Sequence, residues 1–229
     1  MNTDRIAANI ANVRRRVSSA AEKSGRRPED ITLMAVSKTR GVDEVRAAAA
    51  AGVHNLGENY LQEALEKIGG TAGLDVVWHF IGPIQSNKTR AIAEHFDWVH
   101  SVEREKIARR LNEQRPDALP PLNICLQVNI SGEQSKSGTD PEALPALAAA
   151  VGDMPRLRLR GLMAIPAPEQ DSKAQREAFS RLATLFETLR GRVPALDTLS
   201  MGMSGDLESA IAEGSTMVRI GTDIFGPRG

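Results

Sequence analysis

Lys38 closes the nearly continuous apolar run 31–37, and a lysine at the end of such a segment would sit in partly desolvated surroundings. Burial disfavours the ammonium, so its pKa falls and the neutral amine can condense with an aldehyde as a Schiff base. Taken alone, a strand-end lysine is more often an ordinary surface or anion-pairing residue. Two segments far along the chain change that reading. Met201-Gly202-Met203-Ser204-Gly205 and Arg219-Ile220-Gly221-Thr222 are Gly and Ser/Thr loops of the kind that let backbone N–H groups approach a phosphate. A Schiff-base lysine with a phosphate cradle on the far side of the fold suits an aldehyde that carries a phosphate. Pyridoxal 5′-phosphate and the phosphorylated sugar of an aldolase both qualify.

The other polar residues near these segments carry two readings each. Ser204 is a phosphate ligand or a helix N-cap, and the two are compatible because a helix start attracts anions. Thr222 is a ligand or a turn residue, and Asp206 reads as a first-turn acid favoured by the helix dipole. Arg219 precedes Gly221 by two residues, so strand alternation turns it toward the same side as the phosphate loop. Its alternative is a packing arginine paired with Asp or Glu. Asn59 could donate to a cofactor's phenolic oxygen or cap a helix near Tyr60. His79 reads as a hydrogen-bonded core residue, and Cys125, inside an apolar run, as a buried inert thiol. The four histidines and one cysteine show no ligand spacing, so no metal site is expected.

The elements that must position these residues alternate along the chain. Ile6, Ile10, Val13 and Val17 repeat at helical spacing after Thr3 and predict an N-terminal helix, stopped by Gly25 and Pro28. Strands follow at 31–37, 53–56, 76–81, 98–101, 122–130, 157–165, 198–201 and 217–220. Helices are expected between them at 42–51, 60–68, 86–95 and 103–114, from Asp140 with Pro141, from a Ser172/Gln175 capping box, and at 206–213. Eight strands joined mostly by helices close naturally into a (β/α)8 barrel of TIM type with an additional N-terminal helix. A doubly wound sheet is the alternative, but the Gly-rich dinucleotide fingerprint is missing after the first strand. No linker or repeat divides residues 1–229, which are expected to form a single barrel domain with its chemistry at the strand C-termini.

Bulk composition narrows the partners. Twenty-nine basic and 29 acidic residues give a formal charge of zero, which argues against nucleic acid and against a membrane surface. The N-terminus is polar and no run of eighteen apolar residues occurs, so a cytoplasmic protein with a small-molecule partner is expected.

These residues carry a resemblance. The segments Ala35-Val36-Ser37-Lys38-Thr39, Gly57-Glu58-Asn59-Tyr60, Trp78-His79-Phe80-Ile81-Gly82, Gly161-Leu162-Met163-Ala164-Ile165-Pro166, Leu199-Ser200-Met201-Gly202-Met203-Ser204 and Met217-Val218-Arg219-Ile220-Gly221-Thr222 span nearly the whole barrel. Together they closely resemble the pyridoxal-phosphate homeostasis protein family, whose fold is similar to the barrel domain of alanine racemase. The resemblance implies a cofactor aldimine at Lys38, phosphate contacts from Ser204, Gly221 and Thr222, Asn59 and Met201 lining the ring, and Arg219 facing the pyridine nitrogen. It implies a monomeric carrier or buffer in vitamin B6 and amino-acid homeostasis, without robust catalysis, with cofactor-requiring apo-enzymes as further partners. An amino-acid racemase is the rival, but such enzymes complete their site with a second domain, and only 222–229 follow the last strand. Should Lys38 not be the sole attachment point, Lys136, in the loop after the fifth strand, is the candidate second lysine for cofactor transfer.

Overall fold

In the computed structural model, residues 3–131 and 137–227 are described, so Lys136 lies outside the described residues. The chain opens with α1 (Thr3–Lys23), whose stripe of Ile6, Ile10, Val13, Val17, Ala20 and Ala21 is buried as the helical spacing requires. Burying each of the larger side chains contributes on the order of 1.5–3 kcal/mol, which fixes the helix against the barrel wall. Then come β1 (Thr32–Val36), α2 (Val42–Ala50), β2 (Asn55–Glu58), α3 (Leu61–Gly70), β3 (Val77–Phe80), α4 (Thr89–His95), β4 (Trp98–Val102) and α5 (Glu105–Gln114). The second half runs β5 (Leu122–Gln127), α6 (Leu144–Gly152), β6 (Leu157–Met163), α7 (Ser172–Arg190), β7 (Thr198–Ser200), α8 (Leu207–Ala212), β8 (Met217–Ile220) and the short α9 (Thr222–Phe225).

The eight strands are parallel and close in sequence order, with β8 paired to β1 through Ala35 opposite Ile220. The expected single barrel with an extra N-terminal helix is therefore the observed architecture. Period-two alternation divides the apolar residues of the strands between the two faces of the sheet. Ala35, Leu56, Phe80, Val99, Leu126, Leu199 and Ile220 join the ring between sheet and helices. Met34, Val36, Ile81 and Met217 form a separate cluster inside the barrel.

Several expected boundaries move. The helix predicted to open at Asp140 begins at Leu144, and residues 140–143 form a turn closed by Ala143 N–H donating to the Asp140 carbonyl at 3.0 Å. The cap of α7 is Asp171, whose carboxylate accepts from the backbone of Lys173 and Ala174, so the expected Ser172 cap is one residue late. A carboxylate reaches two N–H groups at once, which a hydroxyl cannot do as well. Residues 86–88 form a 3-10 turn ahead of α4 rather than its first turn. Among the described residues no helix is long and apolar enough to cross a membrane.

Candidate functional site

The residues singled out from sequence come from four adjacent strands. Met201 and Ser204 follow β7, Arg219 lies in β8 with Gly221 and Thr222 after it, Lys38 follows β1 and Asn59 follows β2. The cradle loops were expected on the far side from Lys38, and closure of the barrel corrects this: the first and last strands pair, so Gly221 abuts Val36. A Cβ on Gly221 would fall 3.3 Å from the Val36 carbonyl oxygen.

Lys38 is half-buried in the turn after β1. That turn is held tightly. Thr39 adopts φ 64°, a left-handed conformation uncommon for a β-branched residue, and its N–H donates to Glu63 Oε2 at 2.9 Å. Arg40 N–H donates to the Ser37 carbonyl at 3.0 Å. Behind the turn lies a buried ionic cluster that sequence reasoning missed. Glu58 Oε1 accepts from Ser37 Oγ at 2.6 Å and from Lys67 Nζ at 2.7 Å, and Lys67 Nζ also donates to the Ser37 carbonyl at 2.7 Å. Glu58 Oε2 is buried without a partner among the described residues. Desolvation raises the Glu58 carboxyl pKa, opposed by its bonds to Lys67 and Ser37. The available signal was Lys67 standing three residues after Ala64 on the buried face of α3.

Arg219 is buried and held from below. Its Nη1 donates to the Ser200 carbonyl at 2.6 Å and Ser200 Oγ at 2.8 Å, and its Nη2 to the Ala164 carbonyl at 3.0 Å. All three partners are neutral, so the expected alternative of a carboxylate-paired packing arginine is not what the barrel contains. Burial lowers the guanidinium pKa to about 10, which leaves it protonated at neutral pH.

From Ser200 a hydrogen-bonded chain crosses the interior: Ser200 Oγ to His100 Nδ1, His100 Nε2 to His79 Nδ1, and His79 Nε2 to Asn55 Oδ1, each 2.9 Å. Its proton order follows from its ends. Arginine only donates, so the Ser200 hydroxyl accepts from it and donates to His100. His100 is then protonated on Nε2 and His79 on Nε2, ending on the Asn55 amide oxygen. Burial lowers the His79 pKa to about 3 and puts His100 well below its ordinary 6.5, the latter aided by His79 and Arg219. His79 is the core residue it was expected to be. Cys125, fully buried, has its thiol pKa raised by desolvation, as an inert thiol should.

The two loops supply free donors. Asp206, not Ser204, caps α8, and its Oδ1 accepts from Met203 N–H at 2.6 Å. Gly202, at φ 97°, makes the turn that a side chain would block, since its Cβ would lie 2.6 Å from the Ala210 Cβ. Among the described residues, no acceptor is found for the backbone N–H groups of Ser204, Gly205, Gly221 or Thr222. Met201 is fully buried, Ser204 and Gly221 half-buried and Thr222 exposed. Asn59 does not cap α3, whose N-cap is Tyr60. Its Oδ1 is buried and unpartnered among the described residues. It borders a cavity of about 460 Å³ at the strand ends, lined also by Phe80, Ile84, Ser101 and Gln127.

Residues 1–229 match the alanine racemase N-terminal domain family. A pyridoxal phosphate homeostasis protein of Pseudomonas aeruginosa is 63% identical over 223 residues, covering 97% of this chain and 96% of that protein. Its namesake in Escherichia coli K12 is 57% identical over 228 residues, covering 97% of each. Among solved structures, PipY of Synechococcus elongatus with PLP bound is 35% identical, with a TM-score of 0.84, over 96% of this chain and 100% of that one. An alanine racemase from Clostridium difficile, 15% identical with a TM-score of 0.80, covers 98% of this chain but only 57% of that one and shares the fold alone. By sequence, length and fold, the chain belongs to the alanine racemase N-terminal domain family and, within it, to the pyridoxal phosphate homeostasis proteins.

Proposed function

We propose that this protein holds pyridoxal 5′-phosphate through the Lys38 amine and acts as an intracellular carrier of the cofactor in vitamin B6 and amino-acid homeostasis, delivering it to apo-enzymes that need it. The observation that carries the reading is the set of unused backbone N–H groups at Ser204, Gly205, Gly221 and Thr222, on strands adjoining that of Lys38. Four free donors beside a lysine match a phosphorylated aldehyde. The Asn59 amide, whose Oδ1 is held by no group among the described residues, is at liberty to turn its Nδ2 donor toward the same occupant, and the close Gly221–Val36 approach agrees with it. The names of the relatives and the PLP bound to PipY agree with it.

When bound, the cofactor supplies an aldehyde carbon for covalent attachment and a ring that can withdraw electrons. In this reading the loops after β7 and β8 bind its phosphate, Met201 and Asn59 line its ring, and Arg219 faces its pyridine nitrogen. A guanidinium with a pKa of about 10 keeps its proton at neutral pH and offers only donors to that nitrogen. The nitrogen then stays unprotonated and the ring withdraws electrons weakly, which suits holding the cofactor more than using it.

The test is a Lys38→Ala variant loaded with the cofactor. It should lose the visible or near-ultraviolet chromophore and the borohydride-reduced adduct that the unmodified protein shows; a persisting adduct would move the attachment point elsewhere. Deuterium exchange at Cα across a panel of amino acids, followed by NMR, should stay near the free-cofactor background. Turnover on the order of 1 s⁻¹ or faster would replace the carrier reading with a racemase.

A further inference from the structure

We propose that Arg16, on the N-terminal helix, is a positioning residue for the phosphate cradle, clamping the loops after β7 and β8 into one rigid unit. The proposal rests on the reading of those loops as the phosphate site. Arg16 uses four donors on three separate points. Its Nε and Nη2 grip Glu208 at 2.7 and 2.9 Å, Nη2 also reaches the Ser204 carbonyl at 3.0 Å, and Nη1 meets Asp223 at 2.5 Å. Glu208 lies in α8 just after the first loop, and Asp223 directly follows Thr222 of the second. Without the guanidinium between them, those two carboxylates would repel each other and an incoming phosphate dianion. Seven residues away on the same helix, Asn9 Nδ2 donates to the Ile224 carbonyl at 2.9 Å, a second tie to the β8 side.

Two features separate this role from plain stabilisation. The ion pairs are part-exposed, with side-chain accessibilities of 36% for Arg16, 52% for Glu208 and 32% for Asp223, so solvent screening limits what they contribute to folding. Arg16 also borders an outer cavity of about 670 Å³ shared with Arg15, Ser19 and Lys23, so truncation enlarges an existing opening and leaves no hole in the core. What the clamp does supply is preorganisation: loops already held in the binding geometry need less ordering when the phosphate arrives.

The experiment compares Kd for pyridoxal 5′-phosphate and for pyridoxal, which lacks the phosphate, in the unmodified protein and in Arg16→Ala. The unmodified protein should prefer the phosphorylated form strongly. In Arg16→Ala that preference should fall about tenfold, almost entirely through weaker binding of the phosphorylated form, with pyridoxal changed by no more than about twofold. No preference in the unmodified protein would refute the cradle itself. A preference that survives in Arg16→Ala, or equal weakening of both ligands, would overturn the clamp alone. Arg16→Lys keeps the charge without the fork and should lose most of the preference; full retention would also overturn the clamp. Should Arg16→Ala fail to fold, Arg16→Lys decides alone, read on the same two dissociation constants.

Discussion

Two buried polar regions flank the candidate site and differ in kind. Beneath Arg219, the chain Ser200–His100–His79–Asn55 is neutral and closed, each donor meeting one acceptor. Behind Lys38, the Glu58–Lys67–Ser37 cluster is ionic and incomplete, with Glu58 Oε2 unpaired among the described residues. A neutral chain orients its terminal group, here the Arg219 guanidinium, without burying a second charge. An ion pair can anchor a strained turn from one side, but it leaves a desolvated charge whenever either partner is lost.

The largest test of that contrast is Lys67→Met. Stranding the Glu58 carboxylate should cost about 3–5 kcal/mol in urea unfolding. The double change Lys67→Met with Glu58→Gln should recover much of it. A single variant as stable as the unmodified protein would show that the cluster is not an ion pair in solution.

Acidification tests the other region. The native His79 pKa, about 3, lies below its ordinary 6.5, so both states are neutral above pH 6.5 and the full stability is present there. Below that pH the unfolded chain takes a proton that the native chain refuses. Stability should fall toward pH 3 by up to about 1.4 kcal/mol per pH unit for each histidine. His100 adds in the same direction. Glu58 has the opposite sign: its raised native pKa favours the fold below the ordinary carboxylate value, and the advantage is lost as pH rises through the native value. Unfolding measured from pH 7.5 to 5 should therefore show a net loss on the acid side that His100→Gln flattens and Glu58→Gln steepens. An unchanged slope in both variants would break the comparison.

Smaller effects sharpen it. Ser200→Ala removes the hydroxyl that links Arg219 to His100 and should cost about 1–3 kcal/mol, read by thermal or urea unfolding. Asn59→Ala should change stability by less than about 0.5 kcal/mol, since its Oδ1 bonds nothing among the described residues, while cofactor affinity falls. A large loss of stability with unchanged affinity would make Asn59 a structural residue.

Much of this was legible locally. A lysine ending an apolar run and two Gly-Ser/Thr segments after later strands mark themselves by residue type, and period-two alternation turns Arg219 away from the face of Val218 and Ile220, whereas Gly221 lies past the end of β8, where alternation no longer applies. Helix caps were less legible, because Ser172 and Asp171, or Ser204 and Asp206, compete within two residues and the winner depends on which oxygen reaches the free N–H groups.

Element order and the face each residue occupies within its element are thus properties of nearest neighbours along the chain, since backbone geometry imposes periods of 2 and 3.6 on any sequence. Distances between strands are not. Lys38 lies 183 positions before Gly221 in the numbering, yet their strands are hydrogen-bonded because the eighth strand returns to the first. The same closure brings Ser200 to His100 across the barrel interior, while packing of the outer helices brings Lys67 to Glu58 and Arg16 to Glu208 and Asp223. The buried partners among these are chosen by shape and by the need of buried polar atoms for counterparts, a constraint that exists only once the barrel has excluded water.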